Sequence, residues 1–394
     1  MFDRMVLRRS EDGSPISQGK LAEAILYYQN VHVVFDAGTL QALIRSIGTD
    51  LILTLLKRGG VSGVYCDEML GTNTEGSAAT QCHNFVAFTL SGDSNGKSFR
   101  SAADRIEHNM RNDGITGKKA KNFIKNFLDI VPVRTFSSNY YSKGGIIDAA
   151  TADLQDSNYI QSAARSVIET AAGGYEPGAN FRFEILKSEI GHFVFTNADF
   201  TAINRIRARM SPPQDPITPA HILSSFLDAR ADLILASFYG GDFATSDSTS
   251  AIIQLKHSEL LRRMEINHSE RHQFTEIVLS DAPALAEVID AGERTFEEFL
   301  KLLDQSRRFK EWLHKTNPDE HLVSKYLKDV TKEGWIESTK AKVIRYMLTT
   351  GMDAINPVAG IVAGLSDTFV IDKLFKGWRP NHFIEKQLAP FVKY

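Results

Sequence analysis

Apolar positions in the first half of the chain recur with two different periods. Leu40, Leu43, Ile44, Ile47, Leu51 and Leu55 fall at helical spacing. Gly48-Thr49-Asp50 divides that run into two helices and Gly59-Gly60 stops it. His32–Phe35, Val61–Cys66, Asn84–Leu90 and Ile130–Phe136 are short β-rich runs, expected as strands. Phe181–Ile185 and His192–Phe195 flank Ser188-Glu189-Ile190-Gly191, which predicts a hairpin. Helices are expected over Leu21–Tyr28, near Ala149–Ala171, and twice within Ser98–Leu128, where Asp113-Gly114 separates them.

The second half changes character. Four prolines fall between positions 212 and 219, so 211–219 reads as a linker. Thr218-Pro219 is a good start for a helix. Ala282-Pro283 opens another, which Gly292 ends, and Thr295 with Glu298 forms a capping box before Phe299, Leu302, Leu303, Phe309, Trp312 and Leu313. The expected fold is helix-rich α+β. A mixed α/β domain with a small sheet spans 1–210, a linker 211–219, and an all-helical domain 220–394.

Composition adds limits. The 394 residues carry 45 Lys and Arg against 48 Asp and Glu, a net charge of −3, so no global attraction to polyanions follows. Two cysteines, Cys66 and Cys82, give no disulfide framework and suit a cytoplasmic setting. The N-terminal residues show no apolar leader core, and no window of about 18 apolar residues predicts a transmembrane segment.

Four stretches suggest chemistry. In Ser91-Gly92-Asp93-Ser94-Asn95-Gly96-Lys97-Ser98 the last three residues fit the end of a phosphate-binding P-loop, so Gly96, Lys97 and Ser98 are phosphate-site candidates. The first glycine of that pattern is due at position 91, which is Ser. A polar turn is therefore the preferred reading. Val33-Val34-Phe35-Asp36-Ala37-Gly38-Thr39-Leu40 resembles the opening motif of haloacid-dehalogenase-type phosphatases, which implies a nucleophilic Asp36. The second carboxylate of that motif is missing here, and Asp36 with Thr39 suits a helix cap better.

On one helix, Glu265, His268, His272 and Glu276 share a face at metal-ligand spacing and would take zinc or another divalent ion. A solvated charged face explains the same residues. Lys97 to Lys125 holds eight Lys and Arg against three acids, a local excess of +5 that could follow a nucleic-acid backbone. Gly360 and Gly364 allow close helix packing, inside the protein, between subunits or at a membrane. Cys66 has acidic neighbours, Asp67 and Glu68, which disfavour a reactive thiolate.

No intact catalytic motif stands out. The expected function is therefore that of an intracellular interaction or regulatory protein with a protein partner and no cofactor. An alternative is an enzyme acting on phosphoesters, nucleotides or nucleic acid, its site scattered over Asp36, Asp67, Glu68, Lys97 and Ser98, with Mg²⁺ or Zn²⁺ as its ion. A second alternative is an effector that disturbs membranes through its C-terminal helices.

Overall fold

The computed structural model describes residues 2–10, 13–77, 80–94, 96–137, 140, 145–279, 284–316, 321–331 and 379–393; for 257–268, 276–278, 324, 327–328 and 330–331 it describes the backbone alone. The fold is helix-rich α+β and divides into two compact units. One comprises Asp3–Ile25 and Asn30–Met264. The other comprises Met1–Phe2, Leu26–Gln29 and Glu265–Tyr394.

In chain order the elements are β1 (Arg4–Leu7), α1 (Gln18–Tyr27), β2 (Asn30–Phe35), α2 (Ala37–Ser46), α3 (Thr49–Lys57), β3 (Val61–Cys66), β4 (Met69–Glu75) and β5 (Cys82–Phe88). Next come α4 (Ala102–Asn112), α5 (Gly117–Ile130), β6 (Val133–Arg134), α6 (Gly145–Asp153), α7 (Ser157–Ala171), β7 (Phe183–Ser188) and β8 (Gly191–Thr196). Then follow α8 (Phe200–Arg207), α9 (Pro219–Tyr239), β9 (Asp242–Phe243) and α10 (Asp247–Val278).

Five strands form a wholly parallel sheet in the order β6-β3-β2-β1-β9. The chain steps from β1 to β2, β3 and β6 in one direction, then returns to lay β9 on the far side of β1. Both faces are covered. Val6, Val34, Val64, Cys66 and Phe243 belong to a core filled by α6, α7 and α9. On the other face Phe35 and Tyr65 meet Phe127 of α5 edge-on, with centroids 5.3 and 6.2 Å away. Burial on two faces explains the near-continuous apolar runs of β2 and β3.

The second sheet is antiparallel, in the order β4-β5-β8-β7. Its inner face carries Leu70, Phe85, Ile185 and Val194 onto the same core, and Thr72 Oγ1 lies 2.8 Å from Ser224 Oγ of α9. The hairpin expected around 188–191 is β7–β8, paired Ser188 to Gly191. Phe88, Leu186 and Phe195 are exposed on the outer face.

Several expectations need correcting. The strands form two small sheets, and β1, β4 and β9 lie where the apolar pattern predicted no strand. The helix expected near Ala149–Ala171 is broken into α6 and α7, because Asp156 accepts from the Tyr159 N–H and restarts the helix. The boundary does not fall at 211–219. That segment belongs to the sheet-bearing unit: Ile217 is buried, Asn204 bonds both its N–H and its carbonyl, and Arg207 donates to the Asp215 carbonyl. Helix α9, predicted to open a separate helical domain, fills the core between the sheets.

In the other unit, α11 (Leu285–Asp290), α12 (Phe296–Gln305), α13 (Arg307–His314) and α14 (Leu322–Thr331) precede α15 (Pro380–Phe383) and α16 (Ala389–Val392), which a π-helical turn joins. The Thr295–Glu298 capping box forms as expected. An aromatic cluster of Phe274, Phe309, Trp312, Tyr326 and Phe383 makes its core, and the Trp312 indole donates to Asp329 at 2.7 Å. Among the described residues no single helix is long and apolar enough to cross a membrane. Gly360 and Gly364 lie outside the described residues.

Candidate functional site at the carboxyl edge of the parallel sheet

Parallel strands deliver whatever follows them to one edge. Arg8 follows β1, Asp36 follows β2, and Asp67 and Glu68 follow β3. Three of the acids suggested by the sequence are thus gathered at the ends of two neighbouring strands, in the register that pairs Phe35 with Tyr65.

Each acid is occupied by a protein group. Asp36 caps α2, its Oδ1 accepting from the Thr39 N–H at 2.7 Å. Asp67 holds Arg105 of α4 through both oxygens, with Nε donating at 2.8 Å. Glu68 accepts from the N–H and the hydroxyl of Ser137 at 2.8 and 2.6 Å. Cys66 sits among them as an unreactive thiol: burial pushes it up to about 12, and its sulfur lies 3.3 Å from the Tyr140 hydroxyl. Tyr140 in turn meets the Tyr239 hydroxyl at 3.3 Å.

A buried charge cluster lies where β9 returns beside β1. Arg8 is 4% exposed and donates to Asp228 at 2.7 Å and Asp232 at 3.0 Å, both on α9. The Thr245 hydroxyl, just after β9, donates to the other Asp232 oxygen at 2.8 Å. Burial works against the Arg8 charge, but the two carboxylates outweigh it and hold the guanidinium above its ordinary value. Burial pushes Asp232 up, against the pull of Arg8. None of Arg8, Asp228 and Asp232 was suggested by the sequence. A signal existed: Asp228 and Asp232 stand at i and i+4 on one helix and so share a face.

A half-buried ring lies on the same sheet face. The His32 ring stacks on Tyr239 at 3.7 Å, its Nδ1 lies 2.9 Å from Ser62 Oγ, and its Nε2 is buried without a partner among the described residues. Burial, then Arg4 and Arg134, push its pKa down to about 4.

No family model, curated protein or solved structure matches this chain.

Gly96, Lys97 and Ser98 close a tight turn in which the Lys97 N–H goes to Asp93 Oδ1 and the Gly96 N–H to the Asp93 carbonyl. A bridge between Gly92 and Ser98 seals it. Those donors are spent inside the loop. The helix carrying the expected metal face is α10; the side chains of Glu265, His268 and Glu276 lie outside the described residues, and His272 is exposed. Among the described residues no group of three or more His, Cys, Asp and Glu could hold a metal ion. Glu270 of the same stretch instead accepts from the Leu322 N–H at 2.6 Å, at the start of α14.

Proposed function

We propose that this chain is a regulatory protein that takes a small ligand at the carboxyl edge of its parallel sheet and passes the signal to a protein partner. The observation that carries the proposal is the strand order. In open parallel sheets ligands settle outside the carboxyl ends of the strands, where successive connections turn to opposite sides. Here that point lies between β1 and β9. Binding is favoured over chemistry because Asp36, Asp67 and Glu68 are spent on protein donors and Cys66 is held as a thiol. The support is one of fold, since function is grafted onto folds of this kind in many ways. A cytoplasmic setting goes with the proposal, in keeping with two buried, unpaired cysteines.

The rival reading is a phosphoester- or nucleotide-acting enzyme using the same three carboxylates. A thermal-shift panel of nucleotides, sugar phosphates, amino acids, Mg²⁺ and Zn²⁺ separates the two. Expected is a rise in Tm with one metabolite class, growing with concentration as RT ln(1 + [L]/Kd), and weakened by Asp228→Asn, beside Arg8 at the end of β1. Stabilisation that needs a divalent ion and comes with turnover favours the enzyme. A ligand indifferent to carboxyl-edge substitutions overturns the proposal.

A further inference from the structure

Helix α5 presents one face that the proposed ligand site does not use. Ala120, Phe123, Ile124 and Phe127 are buried, which turns Lys118, Lys119, Lys121 and Lys125 outward together with Asn122 and Asn126. Among the described residues none of these four lysines meets a carboxylate, whereas Arg105 and Arg111 of the same basic stretch are paired with Asp67 and Glu107. The helix holds one acid, Asp129, a turn beyond Lys125. Lys57 and Arg58 end the adjoining helix α3 and are exposed.

We propose that the outer face of α5 docks the phosphate backbone of nucleic acid, without reading sequence. Charge complementarity carries the choice of occupant. Lys118 to Lys125 covers about 10 Å of helix axis, a span over which one DNA strand offers about three phosphates. Lysines without carboxylate partners keep their charge available for counterion release, and the interleaved asparagines add hydrogen-bond donors and acceptors that suit phosphate oxygens. An anionic membrane suits this helix less. A helix that lies in a bilayer surface buries its apolar face there, and the apolar face of α5 is committed to the protein core.

The test is fluorescence anisotropy of the full chain with a labelled duplex of roughly 20 base pairs across a salt series. About three phosphate contacts predict a slope of log K on log salt near −2.7, and Lys118→Gln/Lys121→Gln/Lys125→Gln lowers its size to at most about 0.9. A scrambled duplex binds equally, and Asp129→Lys tightens binding. The substituted side chains are exposed, so the variant's Tm stays at the parent value. No binding at about 50 mM salt, a slope unchanged in the triple variant, or binding to phosphatidylserine vesicles in preference to the duplex would each overturn the proposal.

Discussion

Arg8 donates to Asp232 at 3.0 Å with 5% and 7% of the two side chains exposed, so the end of β1 is tied to α9 by a buried ion pair. Removing one partner of such a pair leaves an uncompensated charge, at a cost of about 3–5 kcal/mol. Arg8→Met is therefore expected to lower the urea midpoint sharply, since Asp228 and Asp232 would both lose their cation. Combining it with Asp232→Leu should recover much of the loss, because no buried charge at 232 then remains. Equal destabilisation by the single and double variants would show that packing, not charge, holds this corner.

The unpaired Nε2 of His32 sets a direction for the pH dependence of stability. The ring stays neutral in the folded chain down to about 4, whereas the unfolded ring takes up a proton near 6.5. Between those values the unfolded state binds more protons, so stability falls as pH is lowered through that window and is flat above it. The full cost is on the order of 3 kcal/mol by pH 4. Burial also lowers His83 and His192, which face each other across β5 and β8 and add loss in the same direction. His32→Gln should make the slope between pH 6.5 and 4 shallower in urea titrations. An unaltered slope would exclude His32 as a contributor.

What the chain discloses in advance depends on how local the cause is. Helices α2 and α3 and the β7–β8 hairpin were legible because spacing and turn residues within a few positions decide them. Strand β1 was not, because Met5-Val6-Leu7 is a three-residue apolar run ending in arginines, and its partners are β2 and β9. Strand β4 reads as polar from Gly71 to Glu75 and owes its existence to pairing with β5 along its full length. At the carboxyl edge Asp36, Asp67 and Glu68 could be suspected because each follows an apolar run. Arg8 and Asp232 are 224 positions apart, and no local pattern links them. The linker reading failed for a related reason: prolines mark irregular backbone, and the hydrogen bonds that hold it to α8 are tertiary.

In the helical unit, Glu270 is 4% exposed and accepts from the Leu322 N–H at 2.6 Å and from His321 Nδ1 at 2.5 Å. It serves as a remote cap for α14, supplying an acceptor to a first-turn donor that has no intrahelical partner. Glu270→Ala is expected to cost roughly 1–3 kcal/mol and to speed amide exchange at Leu322 and Val323. Unchanged exchange there would mean the cap is dispensable.

Gly191 offers the sharpest test of the antiparallel sheet. Its φ of +143° is a region side chains rarely adopt, and an added Cβ would lie 2.5 Å from Asn84 Oδ1 and 2.7 Å from Cys82 Sγ. Both neighbours already bond the Ile190 carbonyl, at 2.8 Å from Asn84 Nδ2 and 3.3 Å from Cys82 Sγ. Gly191→Ala must break those bonds as well as strain the turn, for a loss of roughly 2–4 kcal/mol. Gly173→Ala is the control: nothing lies within 4 Å of its added Cβ, and a change within about 0.5 kcal/mol is expected. Thiol labelling distinguishes local from global damage. In Gly191→Ala, Cys82 should react with a thiol reagent before Cys66, which lies beneath α9 in the other sheet and is 1% exposed. Simultaneous labelling of both would mean that the β7–β8 turn unfolds only with the parallel sheet.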